Sequence, residues 1–142
     1  MIIVIRISGL VEVPEKVDET LYRIRLRRKY SAILFAETTE NMKILRKIRD
    51  FVAYGKINEE TLLSLISARA KVVGNKKIDF KKILDSILKM EKKKKIDLKE
   101  ADIKPFFRLH SPRGGIKSKI HAPKGVLGDN KEKINDLVRR ML

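Results

Sequence analysis

The chain opens on an apolar run, Ile2 to Ile7, interrupted only by Arg6 and closed by Ser8-Gly9, which is the pattern of a buried strand running into a turn. Pro14 then stands where a helix can begin, with Glu15, Asp18 and Glu19 in the opening turns that favour acids. Val17, Leu21 and Ile24 recur at helical spacing and give that helix a core-facing stripe. Ala32 to Ala36 reads as a second apolar strand. Thr39 is the expected cap of a second helix, in which Leu45, Ile48 and Val52 share one face beside Ile44 and Phe51. Gly55 breaks this pattern next to Tyr54, and Val52 to Ile57 reads equally well as a short third strand. Periodicity alone does not separate the two. Asn58 with Glu59 and Glu60 starts a third helix whose buried stripe is Leu62, Leu65 and Ile66. A βαβαβα order in about 70 residues suggests an α+β fold, a small sheet covered on one face by helices.

Beyond Gly74-Asn75 the pattern changes. Asp79 can cap a helix with Phe80, Ile83, Ile87 and Met90 on one face, and that helix runs out into Lys92 to Lys95. Phe106 to His110 alternates, with Phe107 and Leu109 opposite Arg108 and His110, as a strand does. Ile116 to Ile120 repeats the alternation, with Lys117 and Lys119 on one face, and Ser111-Pro112-Arg113-Gly114-Gly115 is the turn between the two runs of a basic hairpin. At the end, Asp129 and Glu132 resemble a capping box, and Ile134, Leu137, Val138 and Met141 follow as an amphipathic helix. The organisation expected is a core domain over residues 1–73 and a basic extension over residues 74–142, packed on that core.

Charge turns this outline toward a partner. The 142 residues carry 34 Lys+Arg against 18 Asp+Glu, a formal charge of +16 and a pI near 10.2, which calls for a polyanionic partner or a strong solubility reason. A hydrophobic content of 43% rules out a merely disordered basic tail. The surplus is uneven: residues 1–57 hold 12 bases and 7 acids, residues 58–142 hold 22 and 11. No acid occurs between Asp102 and Asp129, so that window cannot neutralise its own charge. Cysteine is absent, which excludes a disulfide framework, a cysteine nucleophile and a Cys-rich zinc site. The sequence contains neither a membrane-length apolar run nor a leader-like start, so a soluble cytoplasmic protein is expected.

Catalysis finds little support in these residues. His110 and His121, with Asp102 upstream, make a poor metal or general-base constellation, and no phosphate-cradling or dinucleotide fingerprint occurs, so no cofactor, metal or small-molecule substrate is expected. DNA-binding signatures are missing, and aromatic residues, at 6%, are scarce for a stacking platform. Recognition of folded RNA by its backbone and shape remains. The candidate contacts are Arg23, Arg25, Arg27, Arg28 and Lys29 at the end of the first helix, then Arg108, His110, Ser111, Arg113, Gly114, Gly115, Lys117, Lys119 and Lys124 in the acid-free window. Glycines 114 and 115 would let a main chain approach a phosphate and present its N–H groups, and Arg113 offers a planar fork. A ferredoxin-like regulatory ligand-binding domain and an RNA-processing enzyme are the competing classes.

The residues also carry a family resemblance. Ile3-Val4-Ile5-Arg6-Ile7-Ser8-Gly9, Val13-Pro14 and the helix ending Leu26-Arg27-Arg28 resemble large-subunit ribosomal protein L-thirty, whose eukaryotic relatives are called L-seven. The stretch Val52-Ala53-Tyr54-Gly55 is similar to that family's third strand. Ser111 to Gly115 with Lys117 and Lys119, and the ending Gly128-Asp129 through Ile134-Asn135 to Arg139-Arg140-Met141, resemble its longer archaeal and eukaryotic form. The bacterial form stops near the third strand, and the eukaryotic form begins with a long basic extension that is missing here, so the archaeal type fits best. The resemblance implies a small antiparallel sheet related to the ferredoxin-like arrangement. It also implies a ribonucleoprotein role in translation, holding large-subunit rRNA near 5S rRNA beside neighbouring ribosomal proteins.

Overall fold

A computed structural model describes residues 1–71, 80–92, 96, 98, 103–116 and 118–142. β1 (Ile2–Arg6) is the central strand of a five-stranded sheet. It pairs antiparallel with β2 (Ser31–Phe35), Ile2 opposite Phe35, and with β3 (Val52–Lys56), Ile2 opposite Lys56. Val52 therefore belongs to a strand and not to the preceding helix, α2 (Thr39–Ile48). β4 (Phe107–Arg108) adds antiparallel to β2, and β5 (Gly128–Asp129) adds parallel to β3, giving the order β4-β2-β1-β3-β5. The three-stranded core is antiparallel, as expected, and β5 makes the complete sheet mixed.

Every residue of β1 is buried, which a strand achieves only when both faces of its sheet are covered. On one face α1 (Glu15–Arg23) and α2 press Val17, Leu21, Leu45 and Ile48 against Ile2, Val4, Ile33 and Val52. This is the helical layer that the βαβαβ pattern suggested. On the other face Ile3, Ile5, Leu34 and Ala53 meet α3 (Glu59–Arg69), α4 (Phe80–Lys92) and α5 (Ile134–Met141). The third helix thus leaves the α1/α2 layer and packs with the later helices, through Leu62, Leu65, Ile66, Ile87, Val138 and Met141. Each such aliphatic side chain contributes about 1.5–3 kcal/mol by leaving water.

Three local expectations are corrected. Thr38, not Thr39, caps α2: its backbone is extended and its Oγ1 accepts the Asn41 N–H at 3.3 Å. Asp129 accepts from Lys131 N–H at 2.9 Å in an Asx turn, and Lys131 sits at φ +48°, outside right-handed helix space. A single 3-10 turn, Lys131–Lys133, intervenes, and α5 starts only at Ile134. The basic hairpin does not form either. Phe107 and Leu109 are buried and Arg108 and His110 exposed, as the alternation requires, but the partner is β2. Among the described residues of 116–120 there is no strand; the Ile120 carbonyl instead accepts from Leu127 N–H at 3.1 Å. The reason lies in the 109–113 backbone, whose N–H groups bond elsewhere: Leu109 to the Tyr30 carbonyl, His110 to Met141 and Arg113 to Arg140. The break at Gly74-Asn75, the Asp79 cap, Lys93 to Lys95, Asp102 and Lys117 lie outside the described residues.

α5 spans the underside of the sheet. At its start Asn135 is buried, donating to the Lys56 carbonyl at 3.1 Å and accepting the Asn58 N–H at 3.0 Å, which pins the helix to the β3–α3 junction. Gly55 makes this approach possible, since a Cβ there would stand 2.2 Å from the Lys131 carbonyl oxygen. At its far end the last carbonyls reach the segment after β4. Among the described residues no helix is long and apolar enough to cross a membrane.

Candidate nucleic-acid interface

The first basic cluster is shaped by how α1 stops. Leu26 N–H bonds to the Leu21 carbonyl at 2.8 Å and Arg25 N–H to that of Tyr22 at 3.0 Å, the paired bonds of a Schellman motif, with Leu26 and Leu21 both buried. The left-handed position of such a motif usually belongs to glycine, but Arg25 holds it at φ +68°. A second turn follows, closed by Ser31 N–H on the Arg28 carbonyl at 3.1 Å, with Tyr30 at φ +62°. Two non-glycine residues in left-handed backbone cost roughly 1–2 kcal/mol each. They leave Arg23, Arg25, Arg27, Arg28 and Lys29 exposed on one short loop. Arg23 is paired with Glu19 at 2.6 Å, the Arg27 guanidinium lies 3.9 Å from the centre of the Tyr22 ring, and the Lys29 ammonium lies 4.9 Å from that of Tyr30.

Beneath this loop sits Arg6, the lone charge in the central strand, with none of its surface exposed. Its guanidinium donates to the carbonyls of Leu26 and Gly9, both at 2.8 Å, while longer contacts of 3.3 Å reach the Ser8 carbonyl and the Asp18 carboxylate. A planar fork with several fixed donors can satisfy such a ring of acceptors; an ammonium cannot do so equally. Arg6 thereby ties the basic loop to the core.

The β2–β4 pairing brings the second cluster beside the first. Ser31 lies opposite Arg108, and Leu109 N–H bonds to the Tyr30 carbonyl at 3.0 Å, so the end of the basic loop at Tyr30 runs alongside Leu109. Arg108, His110 and Ser111 are exposed there, with the Arg108 guanidinium 5.7 Å from the Phe106 ring centre. Cations from the two halves of the chain therefore share one sheet edge.

The Ser111–Gly115 segment turns back under the influence of α5. Gly115 N–H bonds to the Pro112 carbonyl at 2.9 Å and Gly114 has φ +76°, as the third residue of a type II turn requires; Gly115 follows at φ +69°. Arg140 grips the turn from outside, its Nε donating to the Arg113 carbonyl at 2.9 Å and a terminal nitrogen to that of Gly115. The N–H groups of Arg113 and Gly115 are engaged inside the fold, the positive φ of both glycines shapes the turn, and the Arg113 side chain is exposed beside them. Lys124 and Arg140 line a depression of about 340 Å³ with Gly115, Ser118 and Lys133, and Lys119 is exposed nearby in sequence.

Of the two histidines, His121 has its Nε2 2.8 Å from the Asp50 carboxylate, and His110 is exposed two residues after β4. Among the described residues no three His, Cys, Asp or Glu side chains converge on a metal position. The pattern along the chain did not single out Arg6, Tyr22 or Arg140. Arg6 left a trace, a charge inside an apolar run. Arg140 left none, because its clamp joins residues far apart in sequence.

Comparison with known proteins agrees with this arrangement. Residues 2–52 match the family model described as ribosomal protein L30p/L7e. The chain is 38% identical to the large ribosomal subunit protein uL30 of Archaeoglobus fulgidus, covering 99% of each sequence. It is 36% identical to the protein of that name from Aeropyrum pernix, over 98% of this chain and 97% of the relative, and 35% identical to that from Methanococcus vannielii, with the same coverage. Similarity at this level along the whole length, on an α+β sheet with these basic edges, places the chain in the L30p/L7e family of ribosomal proteins, among its archaeal uL30 members.

Proposed function

We propose that the chain is a structural, non-catalytic constituent of the large ribosomal subunit, which binds folded rRNA in the neighbourhood of 5S rRNA and so supports translation in the cytoplasm. Its partners are large-subunit rRNA and neighbouring ribosomal proteins, and it requires no cofactor. The observation that carries this reading is the β2–β4 pairing, which sets the Arg23–Lys29 loop beside Arg108 and His110 on one edge. The Arg113 turn and Lys119 and Lys124 extend the cationic surface from there. A regulatory ligand-binding domain has no use for such a surface, and an RNA-processing enzyme would need more than an exposed His110 and an Asp50-paired His121.

Neutralising about six phosphates gives a log–log salt slope of roughly −4 to −5 in an RNA-binding titration. A slope near zero removes the electrostatic basis of the proposal. Replacing Arg113, Lys117 and Lys119 together by Ala weakens binding while the chain stays folded; unchanged affinity moves the site elsewhere. Co-sedimentation with large ribosomal subunits at moderate salt, lost at high salt, is the cellular counterpart.

A further inference from the structure

The scarce aromatic residues are not scattered at random. Among the described residues the cation–ring pairs are Arg27 on Tyr22, Lys29 on Tyr30 and Arg108 on Phe106, and all lie along the basic edge. One of them has the separation of a true stack: the Arg27 guanidinium is 3.9 Å from the Tyr22 ring centre, against 4.9 Å and 5.7 Å for the others. Tyr22 is 56% exposed, although a phenol ring gains by burial, and Arg27 is exposed as well. Neither side chain has a hydrogen bond or ion pair among the described residues, so Arg27 is not held there by a carboxylate.

The backbone fixes this pair in place. Tyr22 stands in the last turn of α1, and Arg27 directly follows Leu26, which is buried, bonded through its N–H to Leu21 and through its carbonyl to Arg6. The left-handed Arg25 reverses the chain between them, so that residue 27 returns over residue 22. A guanidinium plane laid on an aromatic ring at the solvent edge is a ready surface for a third planar group, because nucleobases stack on arginine planes and aromatic rings alike. A paired base inside an RNA helix is already stacked and cannot reach it.

From this geometry we infer that Tyr22 and Arg27 form a receptor for an unpaired, extruded nucleobase, within the RNA-binding surface proposed above and resting on that reading. The phosphates on either side of the base would meet Arg23, Arg25 and Arg28, so the loop would select an RNA bulge or loop over a continuous helix. Recognition here would include base stacking, in addition to phosphate contact.

The test uses the full chain and two RNA hairpins, one with a single bulged 2-aminopurine and one fully paired. The wild-type chain binds the bulged hairpin about tenfold more tightly and quenches its fluorescence, the low end of what one stacked base supplies. Arg27→Lys keeps the charge and removes the plane: it brings the two affinities together and abolishes quenching, with the salt slope and the thermal midpoint unchanged. Tyr22→Leu has the same effect while keeping an apolar side chain. Equal wild-type affinities for both hairpins, or a preference that survives Arg27→Lys, overturn the stacking site and leave salt-dependent RNA binding standing. Failure to bind either hairpin in a salt-dependent way overturns both readings.

Discussion

Arg6→Met tests whether the buried guanidinium holds the basic loop in place. The thioether follows the arginine stem to about the Nε position but stops short of the guanidinium, and it donates no hydrogen bond. The buried Leu26 carbonyl, 2.8 Å from the guanidinium, then loses its donor at a cost of about 1–3 kcal/mol, and the Gly9 carbonyl, also at 2.8 Å but in an exposed residue, adds about 1 kcal/mol. The Ser8 carbonyl and the half-exposed Asp18 carboxylate, both at 3.3 Å, can turn to water and add little. Removing a buried charge recovers some desolvation, which offsets about 1 kcal/mol of the loss. The net destabilisation is about 1–3 kcal/mol. Urea unfolding followed by circular dichroism should place the midpoint about 0.5–1.5 M lower, given a slope of about 2 kcal/mol per M. Hydrogen exchange at Leu26 and Arg27 should quicken more than exchange in α3, because the loop is tethered from β1. A midpoint within roughly 0.3 M of wild type, with the Leu26 amide equally protected, would refute the tether.

Other perturbations have equally definite outcomes. Arg25→Gly relieves left-handed strain at the end of α1 and raises stability by about 1 kcal/mol, while RNA affinity falls through loss of a cation; denaturation midpoint and filter binding should move in opposite directions. Gly55→Ala drives a methyl into the Lys131 carbonyl and against Ile134, separating the 3-10 turn from β3, and lowers stability by about 2 kcal/mol or more in a thermal melt. Burial, reinforced by Asp129 and opposed by Arg46 and Arg49, raises the Tyr54 phenol above its ordinary pKa of 10.0. The folded state therefore holds that proton more tightly than the unfolded chain, so stability is intact below about pH 10 and declines as pH rises beyond it. Tyr54→Phe should show a flatter alkaline decline in denaturation midpoint, with the two proteins running parallel at neutral pH.

Much of the core could be read from spacing. Val17 and Leu21, Leu45 and Ile48, and Leu62, Leu65 and Ile66 all face inward as their helical recurrence requires. The element order suggested helices on one face only, yet the apolar run Ile2 to Ile7 already implied the double covering, since a strand with one wet face would alternate and this one does not. Of the two edge strands only β4 was legible, through the Phe106 to His110 alternation. β5 has two residues, too few for any period, and the partners of both are chosen by what α5 does with the neighbouring backbone. The hairpin reading around Arg113 failed for the same reason, since two alternating runs beside a turn say nothing about competing carbonyls from Met141 and Arg140. At the candidate interface the types of residue were legible and their meeting was not: nothing local links Ser31 to Arg108. Tyr22 was hidden by composition, because few aromatics overall does not mean few at one edge.

α5 touches both margins of the sheet, Asn135 at the β3–α3 junction and the Met141 and Arg140 carbonyls at the segment after β4. It acts as a strut, and a strut transmits load. Any ligand that immobilises the Arg113 turn also restrains α5 along its axis, and through the close approach at Gly55 it restrains β5 on the opposite margin. The two edges cannot loosen independently, so contact made at one side stiffens the whole width of the molecule.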